Sequence, residues 1–166
     1  MTRRVRVVSA IGVSCLAFVA ARPAHAQVQF GPELSLATNS IGVGIGGRVE
    51  SSLAKVIPTV KNLSVIGSFD YFFPGTGLGG PSPTYWEINA NGAYHVEIPN
   101  VKISPYAGAG LVVAHWGYAG YGATNIGLNL LAGTNFQPLG KITPFAELRI
   151  ELRSGSAFVV TGGVLF

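Results

Sequence analysis

The chain has 166 residues and a formal charge of +4, with eleven Lys and Arg against seven Asp and Glu. Four of the eleven, Arg3, Arg4, Arg6 and Arg22, fall in the first 26 residues, so residues 27–166 balance at seven charges of each sign and offer no basic footprint for nucleic acid. The single cysteine, Cys15, lies in the same leading stretch, which excludes disulfide and thiol chemistry from the remainder.

Residues 1–26 read as a cleaved signal peptide. Three arginines open it, an apolar run follows from Val7 to Ala21, and Ala24-His25-Ala26 supplies a small-x-small cleavage site before Gln27. Residues 27–166 are expected to form one domain, and only 14 of these 140 are charged. Soluble domains carry roughly a quarter charged residues, so much of this surface is expected to face something other than water.

After the leader, eight segments of about ten residues alternate apolar and polar, each bounded by Gly, Pro, Asn or Ser. They span residues 28–38, 41–50, 62–73, 84–96, 102–114, 124–136, 142–153 and 157–166. The first sets Val28, Phe30, Leu34 and Leu36 against Gln29, Gly31, Glu33 and Ser35. The second sets Ile41, Val43, Ile45 and Val49 against Gly44, Gly46, Arg48 and Glu50. The third opposes Leu63, Val65, Phe69, Tyr71 and Phe73 to Ser64, Ser68 and Asp70, and the fourth opposes Trp86, Ile88 and Tyr94 to Glu87, Asn89, Asn91 and His95. The fifth, built on Tyr106-Ala107-Gly108-Ala109-Gly110, is too uniform to phase. No charged residue occurs between Lys102 and Lys141, but eight glycines and two prolines in that stretch exclude a spanning helix. The sixth sets Ile126, Leu128, Leu130 and Phe136 against Asn129 and Asn135. The seventh sets Ala146, Leu148, Ile150 and Leu152 against Glu147, Arg149, Glu151 and Arg153, and the last puts Phe158, Val160, Val164 and Phe166 together.

Every charge in the phased segments falls on the polar face. A lipocalin-like soluble barrel would point that face at water, yet it consists mostly of Gly, Ser and Asn. Small residues interleaved with a few long ones suit the narrow interior of an eight-stranded barrel instead. The predicted fold is therefore all-β: an eight-stranded antiparallel up-and-down transmembrane β-barrel behind a signal peptide, its apolar face toward lipid. With both termini periplasmic, the outward loops are residues 38–40, 74–83, 115–123 and 154–156. The periplasmic turns are residues 51–61, 97–101 and 137–141. Aromatics are expected in two interfacial girdles, Phe69, Tyr71, Phe73, Tyr85 and Trp86 at one rim and Tyr94, Tyr106, Phe136, Phe145 and Phe166 at the other.

The stretches GSFDYFFP (67–74), YWEINANGAYH (85–95), ISPYAGAGLVVAH (103–115), GLNLLAGTNF (127–136), TPFAELRIEL (143–152) and VVTGGVLF (159–166) resemble the outer-membrane β-barrel domain family, the small OmpA/OmpX-like barrels of Gram-negative bacteria. The resemblance covers nearly all of residues 27–166. It implies an integral outer-membrane protein and supplies no catalytic residues. Phe158, Val160, Val164 and Phe166 resemble the C-terminal signal read by the outer-membrane insertion machinery, which with periplasmic chaperones and outer-membrane lipids makes up the expected partners. A monomer is expected.

The candidate functional residues are the polar-face charges Glu33, Arg48, Glu50, Asp70, Glu87, Glu147, Arg149 and Glu151, read as an interior network that fills and stiffens the barrel. The same six acids facing two arginines could line a narrow cation-preferring path. Trp116, Tyr118 and Tyr121 are candidates for contact with a ligand or neighbour from the third outward loop, or for a fold-back over the mouth. A lipid-modifying enzyme would need a histidine with a serine or acid beside it. His95 has Glu97 two residues on, and neither His95 nor His115 has a serine at a persuasive spacing. The reading is a non-enzyme with no cofactor and no metal site, in a structural or envelope role. A small binding or transport barrel, with a hydrophobic-ligand site at the mouth, is the alternative.

Overall fold

The structure, a computed structural model, describes residues 28–55, 57, 59–75 and 82–166. The expected signal peptide lies outside the described residues, as do residues 76–81 of the second outward loop. Eight strands run in chain order: β1 (Val28–Ala37), β2 (Gly42–Ser52), β3 (Leu63–Phe73), β4 (Thr84–His95), β5 (Ile103–Tyr118), β6 (Tyr121–Phe136), β7 (Thr143–Leu152) and β8 (Ala157–Leu165). Each pairs antiparallel with its neighbour in sequence, and β8 returns to β1 to close the barrel. Closure pairs Glu33 through Ala37 with Gly163 back through Val159, and Phe166 N–H adds a bond to Phe30 O at 2.9 Å. A closed sheet has no edge to hydrogen-bond, which is what a hydrocarbon surround demands of backbone polar groups.

The two faces separate as the alternation predicts. Phe30, Leu34, Ile45, Phe69, Leu111, Leu128, Leu130, Leu148 and Ile150 stand on the outer wall, each about half exposed or more. The charged residues Glu33, Arg48, Glu50, Asp70, Glu87, Glu147, Arg149 and Glu151 are all buried inside. Such an apolar wall would be unstable against water and is the surface a bilayer covers. Lys61, Glu97, Lys102 and Lys141 are exposed in the β2–β3, β4–β5 and β6–β7 connections, hereafter the turn end. The hairpins β1–β2, β3–β4, β5–β6 and β7–β8 lie at the opposite, hairpin end.

Two expectations are corrected. The third outward loop is not a loop: β5 and β6 run on as a hairpin of sixteen residues per strand, register intact to Tyr118↔Tyr121. Its turn is Ala119-Gly120, at φ 50° and 86°, the two-residue turn with both φ positive that matches strand twist. The girdles are also thinner than expected, because Tyr85, Tyr106 and Phe145 point inward and are almost fully buried. A glycine faces an inward aromatic in three cross-strand pairs: Phe72 opposite Gly44, Tyr106 opposite Gly133, and Phe145 opposite Gly163. A Cβ on Gly44 would stand 2.7 Å from the Phe72 ring, and one on Gly163 2.8 Å from Phe145. These inward glycines provide the room that the luminal aromatics occupy.

Candidate functional site

The inward side chains lie in tiers. Nearest the turn end, Arg48 on β2 donates to Glu147 Oε2 at 2.8 Å, to Glu50 Oε2 at 3.1 Å and to Tyr106 Oη at 3.1 Å. Its guanidinium carbon stacks 4.3 Å from the Phe145 ring centroid, a cation–π contact that adds to the ion pairs in this desolvated setting. Tyr106 in turn donates to Glu147 Oε2 at 2.9 Å. Ile66, Ala93, Tyr106 and Leu131 pack as a small apolar cluster among these groups.

At mid-height the register sets Asp70 on β3 directly opposite Glu87 on β4. Like charges across a strand pair destabilise a sheet. The conflict is resolved from the far wall: Arg149 on β7 crosses the lumen and lies 3.7 Å from Asp70 Oδ2 and 3.3 Å from Glu87 Oε2. The same guanidinium meets Glu151 at 3.1 Å and Glu147 at 3.7 Å. Four buried carboxylates therefore share one arginine. Asp70 also accepts from Ser35 Oγ at 2.9 Å, while Asn129 donates to Asn89 Oδ1 and Asn91 Oδ1, both at 2.9 Å.

Toward the hairpin end Arg153, just beyond β7, closes the upper tier at 3.2 Å from Glu87 and 3.0 Å from Glu151, and it also donates to Tyr85 Oη. The luminal acids are thus met by three arginines rather than the two expected. Arg153 shares the polar face of the seventh segment, but its place at the segment's end hides its reach back into the lumen. Above it Ile41, Phe72, Tyr85, Val112, Ala114, Ala157 and Val159 pack as a buried apolar cluster, the cap, toward the hairpin end. Glu33 is the outlier of the network. It is buried, yet among the described residues it forms no ion pair and its Oε1 has no hydrogen-bond partner.

His95 acquires partners that linear spacing hides. Its Nε2 lies 2.9 Å from Ser64 Oγ and 3.1 Å from Glu50 Oε1, and its Nδ1 lies 3.4 Å from Ser104 Oγ. Glu97, its neighbour in sequence, is not among them. The group bridges β2, β3, β4 and β5 at the turn end and gives Glu50 a second partner beside Arg48. His115 takes no part in the luminal network: it stacks on Trp86 at 5.1 Å between ring centroids and bonds to Thr124 Oγ1 at 2.9 Å.

Of the three aromatics assigned to the third loop, Trp116 packs edge-on against Tyr85 at 6.2 Å over the cap, whereas Tyr118 and Tyr121 flank the hairpin turn. The pairing of β6 with β7 stops at Leu128↔Leu152. Residues 121–127 of β6 therefore rise beyond β7 with one backbone edge free of strand pairing among the described residues. Phe158, Val160 and Phe166 are exposed at the C-terminal end of the chain, with Val164 half-buried beside them.

No protein-family model matches the chain, and neither does the sequence of any curated protein. Solved structures do match. Neisserial surface protein A aligns at TM-score 0.57 and 18% identity, over 83% of this chain and 94% of that one. The N-terminal β-barrel domain of Pseudomonas aeruginosa OprF aligns at 0.59 and 17%, over 86% and 98%. A major outer membrane protein from Thermus thermophilus aligns at 0.56 and 14%, over 86% and 99%. The fold is that of the small outer-membrane barrels. At these identities the likeness carries the architecture, and function must be argued from the lumen, the wall and the two ends.

Proposed function

We propose that the chain is an integral outer-membrane barrel with a plugged lumen, acting in the structure of the envelope through its wall and its ends. The observation that supports this most directly is the central arginine, Arg149. It ties Asp70 and Glu87 on one wall to Glu147 and Glu151 on its own, beneath an apolar cap. A hydrated path would need these charges solvated and separable, whereas here each luminal arginine is closed on two or more carboxylates. The basic residues Lys61, Lys102 and Lys141 at the turn end favour placing that end against a phospholipid leaflet, the hairpins outward. The partners of this reading are lipids, together with insertion factors and chaperones during assembly, and the unit is a single copy without catalytic role. Reconstitution in planar bilayers tests the plug: the wild-type barrel is expected to give no stepwise current, and discrete openings would overturn it.

A second reading, a binding role at the hairpin end, draws support from one feature. The free edge of β6 over residues 121–127 carries no charge and no proline, the usual protections of an exposed strand. Trp116, Tyr118 and Tyr121 stand beside it. Retention of an extended peptide by the wild type, lost on Ala123→Pro, would favour this role over a purely structural one.

A further inference from the structure

The apolar cap lies toward one end of the lumen only. At the turn end, opposite the cap, lies an open cavity of about 560 Å³, within the range that holds small-molecule ligands. Gln29, Ser52, Ser104, Asn135 and Thr143 line it from five strands, so its uncharged polar groups are amides and hydroxyls, and Val101, Ile103, Phe136 and Pro138 stand beside them as apolar lining. Two charged residues also line it. Glu50 is buried and already met by Arg48 at 3.1 Å and by His95 at 3.1 Å. Lys102 is exposed, in the β4–β5 connection at the rim, where water and salt screen its charge.

The hydrogen-bonding capacity of this wall is underused. Asn135 Oδ1 is buried with no partner among the described residues. Gln29 makes a single long bond, to Thr143 Oγ1 at 3.4 Å. An orphaned amide oxygen is costly in a protein interior, and an Asn or Gln side chain presents a donor and an acceptor side by side. That pairing is met by adjacent hydroxyls, which likewise donate and accept from neighbouring atoms. A charged ligand would find no desolvated counter-charge free to meet it, because Glu50 is committed to Arg48 and His95 and Lys102 stands in water.

We propose that this vestibule is a binding site for a neutral, hydroxyl-rich ligand of about disaccharide size, entering from the turn end and held by Gln29 and Asn135. The site adjoins the plug at Glu50 and lies at the opposite end from the β5–β6 hairpin, so it needs no passage through the barrel.

Saturation-transfer NMR and calorimetry on the full barrel test this, in a phosphocholine detergent so that no glycoside headgroup competes. The probes are maltose and N,N′-diacetylchitobiose, with glucose 6-phosphate and glucosamine as charged comparators. At least one neutral disaccharide is expected to bind, and the charged sugars at least about tenfold more weakly. Asn135→Leu and Gln29→Leu should each weaken binding by about tenfold, and Ser52→Trp should block the mouth. Leu130→Ala, on the outer wall, should leave binding unchanged. Heat-shifted gel mobility checks that each variant is folded, and the two leucine variants stand independently of Ser52→Trp. No transfer from either disaccharide at about 10 mM, preference for a charged sugar, or binding indifferent to all three vestibule variants would overturn the proposal.

Discussion

Replacing Arg149 by methionine is the sharpest test of the luminal network. The side chain keeps an extended, apolar stem, so lost packing contributes little. What is lost is the common counter-ion of Asp70, Glu87, Glu147 and Glu151, which lie 3.7, 3.3, 3.7 and 3.1 Å from the guanidinium. The four are not equally orphaned. Glu87 and Glu151 keep Arg153, and Glu147 keeps Arg48. Asp70 is left with hydroxyl donors alone, from Ser35 and Ser68, while Glu87 still stands opposite it. Stranding one buried carboxylate in this way costs about 3–5 kcal/mol. Arg149→Met should therefore lower the urea midpoint for unfolding from lipid vesicles by that equivalent, followed by tryptophan fluorescence and heat-shifted mobility. Adding Asp70→Asn should recover about 1–3 kcal/mol, since the amide needs no counter-charge and no longer repels Glu87. A loss below about 1 kcal/mol for Arg149→Met, or no recovery in the double variant, would refute the claim that the arginine carries the lumen.

The outer wall gives different outcomes for a soluble and a membrane barrel. Leu130→Arg, on the exposed face of β6, should cost about 2–4 kcal/mol in a bilayer, whereas in a water-facing sheet it would be neutral. Gly133→Val places a Cβ 2.6 Å from Ala146 O and against the Tyr106 hydroxyl, and should cost about 1–3 kcal/mol by overpacking in the same unfolding assay. Gly120→Val forces a β-branched residue to φ 86° at the β5–β6 turn and should loosen the hairpin tip, read as faster amide exchange in residues 115–126 with the barrel midpoint unchanged. Phe166→Ser should lower the amount of heat-shifted barrel in cell envelopes while leaving refolding in detergent intact, and equal loss in both assays would contradict a role in assisted insertion.

Strand number, strand faces and closure are legible because a period of two writes itself directly into sequence. Glu33, Arg48 and Asp70 on one face, with Phe30, Ile45 and Phe69 on the other, are enough to decide inside from outside. The same phase sends Tyr85, Tyr106 and Phe145 inward. Tyr85 shares parity with Glu87 and Phe145 with Glu147 on their own strands, and Tyr106 pairs across β4–β5 with the polar-face His95. The expectation of an aromatic girdle runs against that phase and fails for these three. The long β5–β6 hairpin is hidden for a related reason: His-Trp-Gly-Tyr-Ala-Gly-Tyr-Gly-Ala has the composition of a loop, and only the Ala119-Gly120 turn betrays two strands.

What the sequence determined by itself is whatever depends on neighbours two residues apart: the strands, their faces, and the charged residues turned into the lumen. What only the tertiary structure decided is which of those residues meet. The pairing of Arg48 with Glu147 and the approach of Arg149 to Asp70 join distant strands, across 99 residues in the first case. The same holds for His95, whose partners on β2, β3 and β5 come together through register and barrel closure, while its sequence neighbour Glu97 stays apart. A period-two pattern fixes direction within a strand but carries no information on the stagger between strands. That stagger sets which charges meet, which apolar side chains cluster, and where a cavity is left.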